Sequence, residues 1–245
     1  GPGLGRIASS QADYRLATRG GGHGDYRCLV LGPASAQELF ELTVRAFELA
    51  DRYRNPVIVL SDAILGQMME PVDTVAVPPQ DAPEKDWAVR GKGDRPRTVI
   101  KVAPHTDEEL IDWNRALKAK YEDMEAAEQR HEAVWIEDAA AAVVAFGSSA
   151  RIALDAVARA RDEGMPVGLF RPISLYPYPE KALRDALAAG VRRLLVVEAN
   201  NGQMVEDVRL AACGAAEVRH YGTGGGHIFS PEEIFNEISY FMKKV

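Results

Sequence analysis

The feature that most constrains the fold is a regular alternation of short apolar runs with helical patterns from Trp135 to the end of the chain. The runs AAVVAFG, PVGLF, RRLLVVEAN and AEVRHY have the length of strands, and amphipathic helical patterns separate them. Strands that alternate with helices in this way predict an α/β domain with a mainly parallel sheet. Ser230-Pro231 followed by Glu233 predicts the start of a closing helix.

The first part of the chain shows one strand–helix–strand unit. CLVL is a short apolar strand, Ser35 and Glu38 form a capping box, and Asn55-Pro56 ends the helix before the strand VIVL. Such a unit predicts a right-handed parallel crossover. Two strands and one helix cannot close a hydrophobic core, so we expect the other half of this domain to be missing from this chain.

The two regular regions are separated by residues 71–104, which hold most of the internal prolines and show little periodicity. This composition predicts a linker between domains. Thr106 and Glu109 form another capping box, which opens a long, charge-rich helix extending to about Arg130. Farther along, Ser148 or Ser149 is expected to cap the helix that follows AAVVAFG.

Charge and composition exclude several classes of partner. Lys and Arg total 29 against 36 Asp and Glu, so the formal net charge of −7 makes nucleic acid a poor partner. No apolar run approaches the roughly 18 residues that span a bilayer, so no membrane association is predicted. Cys28 and Cys213 offer neither a disulfide framework nor metal-ligand spacing, which fits a cytoplasmic location. His220 and His227 lack a third ligand nearby, so no metal site is predicted.

Four stretches carry the polar groups that chemistry would need. Residues 62–70, 198–203 and 222–227 follow strands, where open parallel sheets bind ligands, and TRGGGHGDYR precedes one. Neither glycine run has the spacing of a dinucleotide or phosphate loop. The turn at 198–203 favours helix capping. For His23, Asp25 and Tyr26, a glycine hinge with locally satisfied polar groups and a ligand site with close backbone approach both remain open.

Four longer segments resemble a known family. They are GPGLGRIASSQADYRLATRGGGHGDYR, ADRYRNPVIVLSDAILGQMMEP, RPISLYPYP and VVEANNGQMVEDVR. Together they resemble the α subunit of 2-oxoacid:ferredoxin oxidoreductases, in order and over essentially the whole chain. The branched-chain type, which acts on 2-oxoisovalerate (3-methyl-2-oxobutanoate), is the nearest group, and the 2-oxoglutarate and pyruvate enzymes are close relatives.

The resemblance implies a multi-subunit cytoplasmic enzyme that uses thiamine diphosphate to convert a 2-oxoacid to an acyl-CoA and passes the electrons to ferredoxin. It implies that residues 1–75 are the C-terminal part of the pyrimidine-binding thiamine-diphosphate domain. Residues 76–134 would be a linker and long helix, and 135–245 a domain like the C-terminal domain of transketolase. A β subunit would hold the diphosphate with its Mg²⁺, and smaller, cluster-carrying γ-type subunits would carry the iron–sulfur clusters. Coenzyme A would be the co-substrate.

The resemblance also suggests site residues. His23 is a candidate for meeting the substrate carboxylate or a developing oxyanion, with Asp25 orienting it. Gly3, Gly5, Gly21 and Gly22 are candidates for lying near thiamine diphosphate. The family's glutamate that contacts the aminopyrimidine lies upstream of its Gly-Pro-Gly-Leu-Gly motif, and this sequence begins at that motif. We therefore expect the chain to be a fragment or half of a split subunit, inactive alone.

Two rival functions differ in testable ways. A transketolase-like subunit, or the E1 β-type subunit of a 2-oxoacid dehydrogenase, would hand its acyl group to lipoamide instead of passing electrons to ferredoxin, so the preferred electron acceptor distinguishes it. A non-catalytic assembly module would bind its partners with an affinity that thiamine diphosphate does not change.

Overall fold

The computed structural model describes residues 8–75, 85, 87–91, 93–96 and 104–243. Gly3 and Gly5 lie outside the described residues, as does most of the predicted linker. The described residues form two β-sheets with helices packed on them.

The first sheet is built around the predicted strand–helix–strand unit. Strand β1 (Leu29–Leu31) pairs in parallel with β2 (Val57–Val59), and helix α2 (Ala36–Tyr53) connects them, which confirms the predicted parallel strand–helix–strand unit. A third strand, β6 (Ser174–Tyr176), pairs antiparallel with β1, giving the order β2-β1-β6. Leu29 and Leu31 of β1 pack against α2 and the long helix α4 (Asp107–Ala127).

The second sheet has five strands in the order β3-β5-β4-β7-β8. Strands β4 (Ala141–Ala145), β5 (Val167–Pro172), β7 (Arg193–Glu198) and β8 (Glu217–Gly222) are parallel, and β3 (His131–Val134) pairs antiparallel with β5. This confirms an α/β fold with a mainly parallel sheet. β4 and β7 are buried almost throughout, as expected for strands covered on both faces.

Helices cover both faces of this sheet. Apolar residues of α5 (Gly147–Asp162) and α8 (Pro231–Lys243) form one buried cluster with alternate strand residues. Apolar residues of α6 (Glu180–Ala189) and α7 (Met204–Ala212) form a second cluster on the opposite face. The second cluster also takes in residues of β1 and β6, so one apolar core joins the two sheets. Two short helices complete the described elements, α1 (Tyr14–Arg19) and α3 (Ala63–Gln67).

The predicted helix starts are largely confirmed. Ser35, Thr106 and Ser230 each accept a hydrogen bond from the backbone N–H three residues later. The prediction that Ser148 or Ser149 caps α5 is wrong, because Phe146 is the N-cap and both serines lie inside the first turn. Their hydroxyls instead bond to side chains from the first part of the chain.

The three-part division at residues 75 and 134 stays a prediction. Strand β6 belongs to the first sheet although it lies beyond residue 134. Among the described helices, none combines the length and apolarity that crossing a membrane requires.

Candidate functional site

The segment before α1 crosses the carboxyl ends of strands from both sheets. The N–H of Gln11 donates to the Ala199 carbonyl, and the side-chain oxygen of Gln11 accepts from the Ala199 N–H, both at 2.9 Å. Its side-chain amide donates to the Phe146 carbonyl at 2.9 Å, and its own carbonyl accepts from Asn200. Gln11 is buried, so these bonds satisfy its polar groups and fix the segment at the carboxyl ends of β4 and β7.

Asp62 joins the two sheets at the same edge. It follows β2, is only 7% exposed, and caps α3 by accepting from the N–H groups of Ile64 and Leu65. Its other oxygen accepts from the N–H and hydroxyl of Ser148, at 3.2 and 2.6 Å, at the start of α5. One carboxylate therefore serves the N-termini of two helices, where negative charge is favourable. A small cavity of about 20 Å³ beside Asp62 has room for about one water molecule.

The turn after β7 acts as a helix cap. Glu198 is fully buried and accepts from the N–H groups of Gln203, Met204 and Val205 at 2.8–3.1 Å, at the start of α7. Asn200 closes the turn by accepting from the Gly202 N–H. The capping interpretation of this motif is thus confirmed, and its carboxylate is occupied by backbone donors.

The glycine run folds around a tyrosine of its own loop. The hydroxyl of Tyr26 accepts from the N–H groups of Gly21 and Gly22, both at 3.1 Å. Gly20 has φ +72°, and a Cβ there would come within 2.5 Å of the Tyr26 hydroxyl. The glycines are therefore needed for close approach of backbone to the Tyr26 ring, while Gly24 (φ +93°) supplies a second left-handed position.

This loop forms one wall of the larger described pocket, and α4 forms the other. The groove has a volume of about 630 Å³, within the range typical of ligand sites. The loop contributes His23 to Arg27, and α4 contributes mixed polar, charged and apolar side chains, namely Asn114, Leu117, Lys118, Tyr121, Glu122 and Glu125. Glu125, one of these lining residues, accepts from the hydroxyl of Tyr176. Burial, followed by this carboxylate, raises the pKa of Tyr176, so the phenol stays neutral.

The two candidate catalytic side chains both line this groove and are exposed to solvent. Within the described part of the chain, no hydrogen bond joins His23 to Asp25, and the orienting role of Asp25 stays a prediction. The sequence signal that located the loop was the glycine run. The sequence pattern did not identify the wall on α4, because a charge-rich helix is typical of a solvent-exposed face. Among the described residues, no group of three or more His, Cys, Asp or Glu side chains could hold a metal.

Comparison with known families assigns a class to this fold and site. The profile described as "Pyruvate flavodoxin/ferredoxin oxidoreductase, thiamine diP-bdg" matches residues 2–144. The profile described as "Pyruvate:ferredoxin oxidoreductase core domain II" matches residues 139–234. The chain therefore belongs to the pyruvate flavodoxin/ferredoxin oxidoreductase family, and it carries that family's thiamine-diphosphate-binding domain together with a core domain II.

Individual relatives refine the position within the family. The ketoisovalerate oxidoreductase subunit VorB of Methanothermobacter thermautotrophicus is 43% identical over 97% of this chain and 67% of its own length. The 2-oxoglutarate synthase subunit KorA of Methanothermobacter marburgensis is 34% identical over 94% of this chain and 68% of its own length.

Among solved structures, 2-oxoglutarate:ferredoxin oxidoreductase from Magnetococcus marinus shares the fold, with a TM-score of 0.82 and 23% identity. The match covers 99% of this chain and 47% of the solved one, so this chain spans about half of that structure's length.

Proposed function

We propose that this chain is part of the α subunit of a thiamine-diphosphate-dependent 2-oxoacid:ferredoxin oxidoreductase. The complex would oxidatively decarboxylate a 2-oxoacid, form an acyl-CoA and reduce ferredoxin. A β subunit would hold the diphosphate with Mg²⁺, and smaller subunits would carry iron–sulfur clusters. The observation that carries the proposal is the family match over residues 2–144, together with a ligand-sized groove in the loop that the sequence singled out.

The favoured substrate is 2-oxoisovalerate. The VorB relatives are 43% identical over 97% of the chain, whereas the KorA relatives reach 29–36% over 93–96%. A difference of this size at similar coverage supports the branched-chain substrate class over 2-oxoglutarate.

The groove residues suit recognition of a 2-oxoacid. His23 and Arg27 stand on the loop wall and Lys118 on the α4 wall, so donors and positive charge are available to a carboxylate or a developing oxyanion. Leu117 and Tyr121 add apolar surface for a branched side chain. We assign His23 to the substrate carboxylate or oxyanion and Asp25 to orienting it in the assembled enzyme.

We also assign the glycines of the loop to the neighbourhood of the cofactor that the family implies. Thiamine diphosphate supplies the carbanion stabilisation that decarboxylation of a 2-oxoacid needs. Gly21 and Gly22 would contribute small size rather than hydrogen-bond donors, because Tyr26 accepts from their N–H groups. Gly3 and Gly5 are assigned to the same neighbourhood by their motif.

The experiment combines this chain with its upstream residues and the partner subunits. Anaerobic viologen reduction is followed with 2-oxoisovalerate, 2-oxoglutarate and pyruvate, each with and without coenzyme A and thiamine diphosphate. We expect viologen reduction that needs both coenzyme A and thiamine diphosphate and is fastest with 2-oxoisovalerate. No reduction by an assembled, cluster-loaded complex would refute the oxidoreductase proposal and leave the transketolase-like and assembly functions.

The role of His23 is tested in the same complex. Because loss of one donor to a developing oxyanion costs about 10²–10³ in rate, we expect His23→Ala to lower kcat/KM by about two orders of magnitude. His105→Ala is the matched control, since His105 is exposed at the start of α4 and does not line the groove. Unchanged kcat/KM in His23→Ala would favour the hinge interpretation of the loop.

A further inference from the structure

The helix that leads into the glycine loop is tied to α7 of the other sheet by a buried carboxylate. Asp207 on α7 is 7% exposed. It accepts a 2.7 Å hydrogen bond from the hydroxyl of Tyr14 and pairs with the guanidinium of Arg19. Both donors lie on α1, Tyr14 as its first residue and Arg19 as its last. One side chain of α7 therefore holds both ends of α1.

The chemistry of this contact makes it specific to a carboxylate. Tyr14 is fully buried, and burial followed by the charge of Asp207 raises its pKa, so the phenol remains a neutral donor. The carboxylate accepts from both partners at once, and the partly exposed guanidinium of Arg19 balances the charge of the buried carboxylate. An amide in its place would present an N–H₂ group to one of two donors and lose that bond.

Gln203, at the N-terminal end of α7, adds a second attachment on the same side. Its side-chain oxygen accepts from the Arg15 N–H and its amide donates to the Ala12 carbonyl, both at 2.7 Å. Gln203 and Asp207 are four residues apart and so share one helix face. That face consists of side chains from the GQMVED motif, whose role the capping by Glu198 does not explain.

The attachment ends where the glycine loop begins. Arg19 is followed directly by Gly20 at φ +72°, and the chain then passes through His23 to Tyr26 along the groove wall. The loop itself is held by the two bonds to the Tyr26 hydroxyl, which are exposed. The exposed loop therefore depends on α1 for its position, and α1 depends on α7.

We propose that Asp207 and Gln203 are positioning residues, which act through Arg19 and α1 to hold His23 in the groove. The catalytic part of this inference rests on the proposed function, whereas the structural part does not. Loss of the Asp207 contact would release the start of the loop without removing any residue from the groove.

The test is amide hydrogen exchange of the folded chain, comparing native protein with Asp207→Asn. Because a hydrogen bond to a charged group is worth a factor of about ten or more, we expect exchange at Gly21 and Gly22 to speed up at least about tenfold. Amides of β4 and β7 should keep their protection. Glu206→Gln is the matched control: Glu206 pairs with Arg15 across the same two helices but is half-exposed, so little change is expected.

A second variant covers the case in which Asp207→Asn does not fold. Arg19→Gln changes the partially exposed end of the same contact, and it should give the same faster exchange in the loop. The double variant should show less than the sum of the two single effects, since one contact is lost only once. Native exchange at Gly21 and Gly22 in both single variants would overturn the proposal.

Activity of the assembled complex supplies the readout that separates positioning from a general structural role. If the loop is ordered for a smaller fraction of the time, KM for the 2-oxoacid should rise by the inverse of that fraction, while kcat at saturation stays close to native. A fall in kcat with unchanged KM would overturn the positioning role. Absence of activity in the native complex would refute the proposed function and leave the exchange result standing.

Discussion

Replacing Asp62 with alanine should loosen the junction between the two sheets more than any surface substitution. This carboxylate caps α3 through Ile64 and Leu65 and also accepts from the N–H and hydroxyl of Ser148 in the first turn of α5. Gln11 donates a longer bond of 3.4 Å to it. Alanine removes both carboxylate oxygens, which accept all of these hydrogen bonds, from a residue that is only 7% exposed.

The size of the effect follows from those contacts. Loss of an N-cap costs about 1 kcal/mol. Leaving the Ser148 N–H and hydroxyl buried without their charged acceptor costs about 1–3 kcal/mol each. We expect the free energy of unfolding to fall by roughly 3–7 kcal/mol, which lowers Tm by roughly 6–28 °C for a chain of this size. Asp62→Asn keeps one oxygen for one of the two helices, so its free energy of unfolding should lie between those of Asp62→Ala and the native protein.

Thermal and urea unfolding, followed by far-UV circular dichroism, measure the change. Asp185→Ala is the matched control, because Asp185 forms an exposed pair with Lys181 four residues away on α6 and should change stability by less than about 0.5 kcal/mol. If the free energy of unfolding of Asp62→Ala lay within about 1 kcal/mol of the native value, the carboxylate would not be joining the sheets. The buried donor groups would then have other hydrogen-bond partners.

Three further substitutions test local features. Gly168→Ala should destabilise β5, because a Cβ there would lie 2.5 Å from the Trp135 carbonyl oxygen; a native Tm would contradict this. Gly66→Ala in α3 has open space and should stabilise by about 0.5–1 kcal/mol, so a lower Tm would show that the small helix needs its glycine. His131 stacks on Phe170, and burial lowers its pKa below 6.5, so the unfolded chain binds the proton more tightly and stability should decline as pH falls below about 6.5. His131→Phe should lose that part of the pH dependence, which urea titrations at pH 5 and pH 7.5 would detect.

Much of the fold could be predicted from local patterns. Apolar runs predict the strands β4, β5, β7 and β8. Capping boxes, which act within a few residues, predict the helix starts at Ser35, Thr106 and Ser230. The same holds for the capping role of Glu198, since its partners lie five to seven residues away. The glycine run likewise marked the loop that lines the groove.

Other features depend on contacts between distant residues, which no local pattern encodes. Strand β6 has only three residues and exists because it pairs with β1, more than 140 positions earlier in the chain. Ser148 was expected to cap its own helix, but the tertiary fold brings Asp62 to that helix and leaves the serine as a donor. The groove needs α4 opposite His23, and that pairing is likewise decided in the folded chain. The sequence alone thus determined the elements and their family, whereas the folded structure decided which side chains meet, because burial and long-range pairing set those contacts.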